Sequence, residues 1–300
     1  MSLKALFDKI NSYLGLDNDE AFLIIALRII LLVPCVAIPH LFISLFFPGI
    51  IFPKIILSKT YWLFITLMMF IYYVMNNLDD LIANHIHVYV FLMILGSLTV
   101  VLRSWNYDWK SFFGTSAKWL IGMIFLLATI GKFLAPEFAD GSFFEFIAFN
   151  DKRFEGFTSV LLGAQSEMLS ENKQVLDTLL ATKEPENSVY YFKSTSLIST
   201  ISLYMTYWTV VIEGLIALLF LLPERVKLSK YRDIVLVLFI ITTYPIATVP
   251  GFAMSLLLLA FVQSYLKNDR NSAYTLLYLF IFIFISVFAF PYSPYIKRFF

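Results

Sequence analysis

The sequence predicts an all-α fold: a polytopic helical membrane protein of about eight transmembrane helices (eight or nine), with a helical cap on its extracytoplasmic side. Three observations carry this reading. Hydrophobic residues make up 60% of the chain and charged residues 14%, against about a quarter charged in soluble domains. Mean hydropathy is +0.80 and phenylalanine occurs 32 times in 300 residues, more apolar surface than a water-soluble fold of this length can hide. Apolar stretches recur near the ~20 residues needed to cross hydrocarbon. They are continuous runs, unlike the ~10-residue alternating strands of a barrel.

Taken in order, residues 1–20 are too polar for a cleavable signal. Leu3, Leu6, Phe7, Ile10 and Leu14 recur at helical spacing, which predicts an amphipathic helix in the membrane interface. Residues 21–300 then form one transmembrane domain. Its apolar spans run over about 21–47, 61–77, 86–102, 118–134, 200–222, 234–249, 252–266 and 272–291. Backbone groups in lipid must bond within their own segment, so these spans are helices. Pro34, Pro39, Pro48 and Pro53 punctuate residues 21–58. One helix there gives eight spans, and two give nine and an inside N-terminus. No internal repeat or low-complexity linker divides the chain.

Basic residues set the sidedness. Arg103, Lys110 and Lys118 lie in 103–118, Arg225, Lys227, Lys230 and Arg232 in 223–233, and Lys267 and Arg270 in 267–271. By the positive-inside rule these loops are cytoplasmic. The long 135–198 segment is therefore outside. Ten acids face five bases in it, and its amphipathic middle, 157–182, predicts the cap. A net charge of +1 implies no nucleic-acid partner. Cys35 is the only cysteine, so the chain has neither an internal disulfide nor a dithiol motif.

Charges in a bilayer are expensive and point to function, although each has a plainer explanation. Lys132 ends the fourth span. It either snorkels to the headgroups or, desolvated, takes a proton at ordinary pH. His85 and His87 of "NHIHVY" fall on different faces of a helix. With only His40 besides, no metal site is expected; interface decoration is the alternative to a ligand role. Glu213, inside the fifth span, is neutral or paired. It serves as a structural hydrogen bond, a proton carrier or an orienting partner. Arg28 anchors at the cytoplasmic interface or pairs with a buried acid. "TTYPIATVPGF" (242–252) is either a kinked outer turn or a pair of broken helix ends presenting backbone to a ligand. In this topology Lys132, residues 84–89 and the 245–251 turn share one membrane face.

The ordered set "NHIHVYVFLMILGS", "IFLLATIGKFLAPEFADGSF", an acid within a span, and "TVPGFAMSLLLL" resembles the HTTM (horizontally transferred transmembrane) family. That family is related to the transmembrane domain of vitamin K-dependent γ-glutamyl carboxylase. The resemblance covers residues of about 60 to 265 and is strongest at Lys132 with Asp140-Gly141 and at Asn84 with His87. It implies a lipid-soluble quinone or hydroquinone as cofactor, Lys132 as the base that deprotonates it and His87 as a polar partner. Asn84, His85, Tyr89, Glu213, Thr243 and Gly251 are the further residues expected around the cofactor. This sequence has one lysine where the carboxylase has two, and Thr242-Thr243 stand near a histidine of the family's later span. The carboxylase's luminal domain has no counterpart in these residues.

Two other functions fit the sequence. The fold could hold an exported peptide or another membrane subunit, with 135–198 as the recognition surface, or it could be a DoxX-like redox subunit. The lipid bilayer is the partner common to all three. The expected location is a bacterial inner (plasma) membrane.

Overall fold

The computed structural model describes residues 18–36, 40–77, 86–151, 154, 157–158, 166–182, 192–246, 249–267 and 273–289. The predicted interfacial helix falls in 1–20, of which only the last three residues are described, and Asn84 and His85 lie outside the described residues.

The described residues are mostly helical, and no strand occurs among them. In chain order the helices are α1 (Asn18–Leu32), α2 (His40–Ile51), α3 (Pro53–Ile56), α4 (Lys59–Asn77), α5 (Ile86–Ser104) and α6 (Trp109–Leu134). There follow α7 (Pro136–Ala139), α8 (Ser142–Asn150), α9 (Ser166–Thr182), α10 (Ser196–Leu221), α11 (Arg232–Thr243), α12 (Pro250–Lys267) and α13 (Ala273–Ala289). Proline opens α3, α7 and α12, where its missing N–H would have no helical partner in any case.

The run 21–47 is not one helix. α1 ends at Leu32, a 3₁₀ turn holds Pro34, and α2 begins at His40. At ~1.5 Å per residue neither piece reaches the ~30 Å of a hydrocarbon core. α6 is longer than the apolar run within it. It starts at Trp109, so Lys110 and Lys118 are helical, and Lys118 is buried.

Two compact units form, residues 1–121 with 250–300, and residues 122–249. In the first, α4 packs along α5 and α12 along α13, while α1 touches α2, α3, α5 and α12. Gly96 lies beneath the ring of Trp62; a β-carbon there would meet that ring at 2.5 Å. The Trp62 indole N–H donates to the Ile56 carbonyl at 2.6 Å. Beside it the hydroxyls of Thr66 and Ser97 sit 2.6 Å apart, and Ser97 donates to the Trp62 carbonyl at 3.0 Å. These bonds satisfy polar groups between apolar helices. Phe22 stacks on Tyr265 at 4.0 Å. At the charged end, Glu20 pairs with Arg103 and Asp19 with Lys110.

In the second unit α10 is the spine. Its N-cap, Thr195, accepts a bond from the Ile198 N–H at 3.4 Å. It packs against α8 and α11, and α8 in turn meets α7 and α9. Tyr204, Tyr207, Val211, Leu215 and Leu218 form an exposed stripe down α10. The opposite face buries Ser202, Thr206 and Glu213 in its first part and Ile216, Ala217 and Phe220 in its last. An outward apolar stripe with inward hydroxyls reverses the pattern of a helix in water. It suits a helix whose outer surroundings are hydrocarbon.

Among the described residues, three helices are long and apolar enough to cross a membrane: His87–Ser104, Trp109–Leu134 and Ser196–Leu221. Lys59–Met75, Pro250–Leu266 and Ala273–Val287 are apolar but shorter.

Candidate functional site

Lys132 sits in the last turn of α6, and Glu213 lies in the C-terminal half of α10. The Lys132 Nζ donates to a carboxylate oxygen of Glu213 in a salt bridge, although 81 residues separate the two. Their side chains are 16% and 11% exposed, so both are largely out of bulk solvent. The amine also stands 5.3 Å from the centre of the Phe138 ring, within cation–π range.

The local sequence explains how Phe138 reaches this point. α6 stops at Leu134, Pro136 starts the single turn of α7, and Gly141 reverses the chain with φ +83°. A side chain at Gly141 would be strained at that φ and would stand 3.2 Å from the Leu203 backbone of α10. Glycine therefore permits both the turn and the close approach. An Asp140 carboxylate oxygen accepts the Ser142 N–H at 2.9 Å, and its bonds from Ser142 hold the acid below the usual carboxylate range. Phe138, Phe144 and Phe154 form a buried cluster packed by Phe143, Met205 and Ile246.

α10 supplies the rest of the inner wall. Ser202, Thr206, Thr209 and Glu213 follow at intervals of four, three and four, which places them on one helix face. Thr209 bonds back to the Met205 carbonyl at 2.9 Å. The Thr206 hydroxyl is buried with no hydrogen-bond partner, and so is that of Thr243 at the end of α11. The indole of Trp208 donates to Thr242 at 3.1 Å, tying α10 to α11. Toward the C-terminal end of α10, Leu221 fills the space over Gly122, and Phe125 meets Phe239 edge-on at 5.0 Å.

Of the expected residues, Lys132, Glu213 and Thr243 belong to this unit. His87, Tyr89 and Gly251 belong to the other. There the Tyr89 hydroxyl lies directly against the Cα of Gly251, leaving no room for a β-carbon. Ser255 donates to the Gly251 carbonyl at 2.8 Å. His87 is half-buried and meets Phe91 edge-on at 6.1 Å. Among the described residues no three of His, Cys, Asp and Glu come together as a metal site. The expectations from sequence did not include Thr206 or Phe138. The four-three-four spacing of hydroxyls up to Glu213 was the available signal for the first.

Comparison with protein-family models, curated proteins and solved structures gives no match.

A carboxylate and an ammonium held together in a dry interior form a unit of zero net charge that can still take up a proton. Uptake at the carboxylate leaves the ammonium free to balance a nearby anion. The two buried hydroxyls, Thr206 and Thr243, keep unused hydrogen-bonding capacity within the same unit.

Proposed function

We propose that this chain is an integral membrane protein similar to vitamin K-dependent carboxylase-like (HTTM) proteins, in which the Lys132–Glu213 pair handles the proton of a lipid-soluble quinol. The observation that carries this reading is the salt bridge itself, placed inside apolar helices. Removing two charges from water costs several kcal/mol per ion, and a buried charge in a membrane helix marks a proton or ligand path more often than not.

A quinol supplies a weakly acidic hydroxyl on an apolar ring. The residues present fit such a group. Phe138 offers an aromatic face, Thr206 and Thr243 offer unengaged hydroxyls, and the surroundings are otherwise hydrocarbon. The Glu213 carboxylate accepts the proton. The Lys132 ammonium stays beside it and balances the negative charge left on the ligand oxygen. This makes the base a two-residue device, worth roughly 10²–10⁴-fold in a proton transfer. In the full reading the chain spans a bacterial plasma membrane eight or nine times, with 135–198 as an extracytoplasmic cap.

The test is the double variant Lys132→Met/Glu213→Met. It removes both charges while keeping apolar packing, so no lone ion is left buried. Anaerobic titration calorimetry with menadiol, in nanodiscs, is expected to show saturable binding to the wild type and none to the variant, at similar melting temperatures. Equal binding by both proteins overturns the reading and leaves the pair as a tether between helices.

A further inference from the structure

A cavity lies between α8, the start of α9 and the segment leading into α10, with a volume of about 430 Å³. That falls within the ~300–1,000 Å³ of small-molecule sites. Its apolar base is the buried cluster of Phe149, Leu169 and Ile198. Three rings in mutual contact line it: Phe149 and Phe192 at 4.8 Å, and Phe146 edge-on to Phe149 at 5.2 Å.

The charges around it are unbalanced. Lys193 lines the cavity, but its ammonium is engaged by Glu171 at 2.7 Å, which raises its pKa above the ordinary lysine value. Asn172 fixes the arrangement. Its amide donates to the Lys193 carbonyl at 2.7 Å and accepts the Lys193 N–H at 2.8 Å. Glu137 and Glu145 also line the cavity, and neither has a basic partner among the described residues. Aromatic rings carry negative charge on their faces, so rings and carboxylates favour the same sign of ligand.

We infer that this cavity binds an organic cation with an apolar body the size of a benzyl group. It is a separate site from the Lys132–Glu213 pair and stands whether or not that pair meets a quinol. Carboxylates supply the attraction and select sign, and the rings take the desolvated apolar body. An anion of the same shape meets two acids and, among the described residues, no cation that is not already paired.

The experiment compares benzyltrimethylammonium with phenylmethanesulfonate, which share a ring and differ in charge. Both are titrated against the full chain in detergent, with saturation-transfer NMR as the readout. Saturable binding of the ammonium alone is expected. Glu145→Gln is expected to weaken it about fivefold, the scale of one partly exposed charge pair. Phe146→Ala, at a side chain 37% exposed whose loss spares the core, is expected to weaken it as well. The inference is overturned if neither compound binds, if both bind alike, or if the ammonium binds equally well to both folded variants.

Discussion

At the scale of single residues, Thr206 separates a working site from a merely tolerated defect. A buried hydroxyl without a partner costs roughly 1–3 kcal/mol in proteins. Valine has the same shape without the hydroxyl. Thr206→Val is therefore expected to stabilise the ligand-free protein by about 1 kcal/mol, measured as a raised denaturation midpoint in detergent. Thr206→Ser is expected to bring no such gain. A destabilised valine variant means that the hydroxyl already has a partner in solution. Sequence alone singled out Lys132 and Glu213 as costly charges, but not that they meet. Their pairing depends on how α6 lies on α10, across 81 positions of chain. Thr206 was harder to read, because hydroxyls in apolar helices commonly bond back to carbonyls of the preceding turn, as Thr209 does.

At the scale of elements, α9 and the strand-like entry to α10 depend on one buried side chain. Asn172 is 3% exposed and makes both of its bonds to the Lys193 backbone. Asn172→Ala is expected to cost about 2 kcal/mol, since two backbone groups lose partners together. Limited proteolysis within 166–198 should accelerate accordingly, and an unchanged digestion rate counts against the pin. The amphipathic pattern made α9 legible within 157–182, but the cavity beside it was not. Its walls come from α8, α9 and the residues before α10, and no periodicity within one segment reports that neighbourhood. The run 21–47 taught the converse lesson. Its uniform apolarity hid the break, while Pro34 and Pro39 marked it, because proline removes a helical donor and crowds the turn before it.

At the scale of the whole molecule, helix content and apolar character were plain from composition, and sidedness rests on the basic loops. Single cysteines in a Cys35→Ser background test that sidedness. Gln174→Cys in α9 is expected to react with an impermeant maleimide added to intact cells. Lys227→Cys, in the basic 223–233 loop, is expected to react only after the membrane is opened. The reverse pattern inverts the topology and places residues 135–198 in the cytoplasm.

The inner face of α10 carries one more implication. Hydroxyls line it from Ser202 to Thr209 ahead of Glu213, and Ile216, Ala217 and Phe220 follow, with Leu221 over Gly122 and Phe125 against Phe239. Under the proposed reading, a proton taken up by Glu213 returns by way of these hydroxyls, and its transfer to a ligand is expected to carry no current and to be insensitive to the membrane voltage.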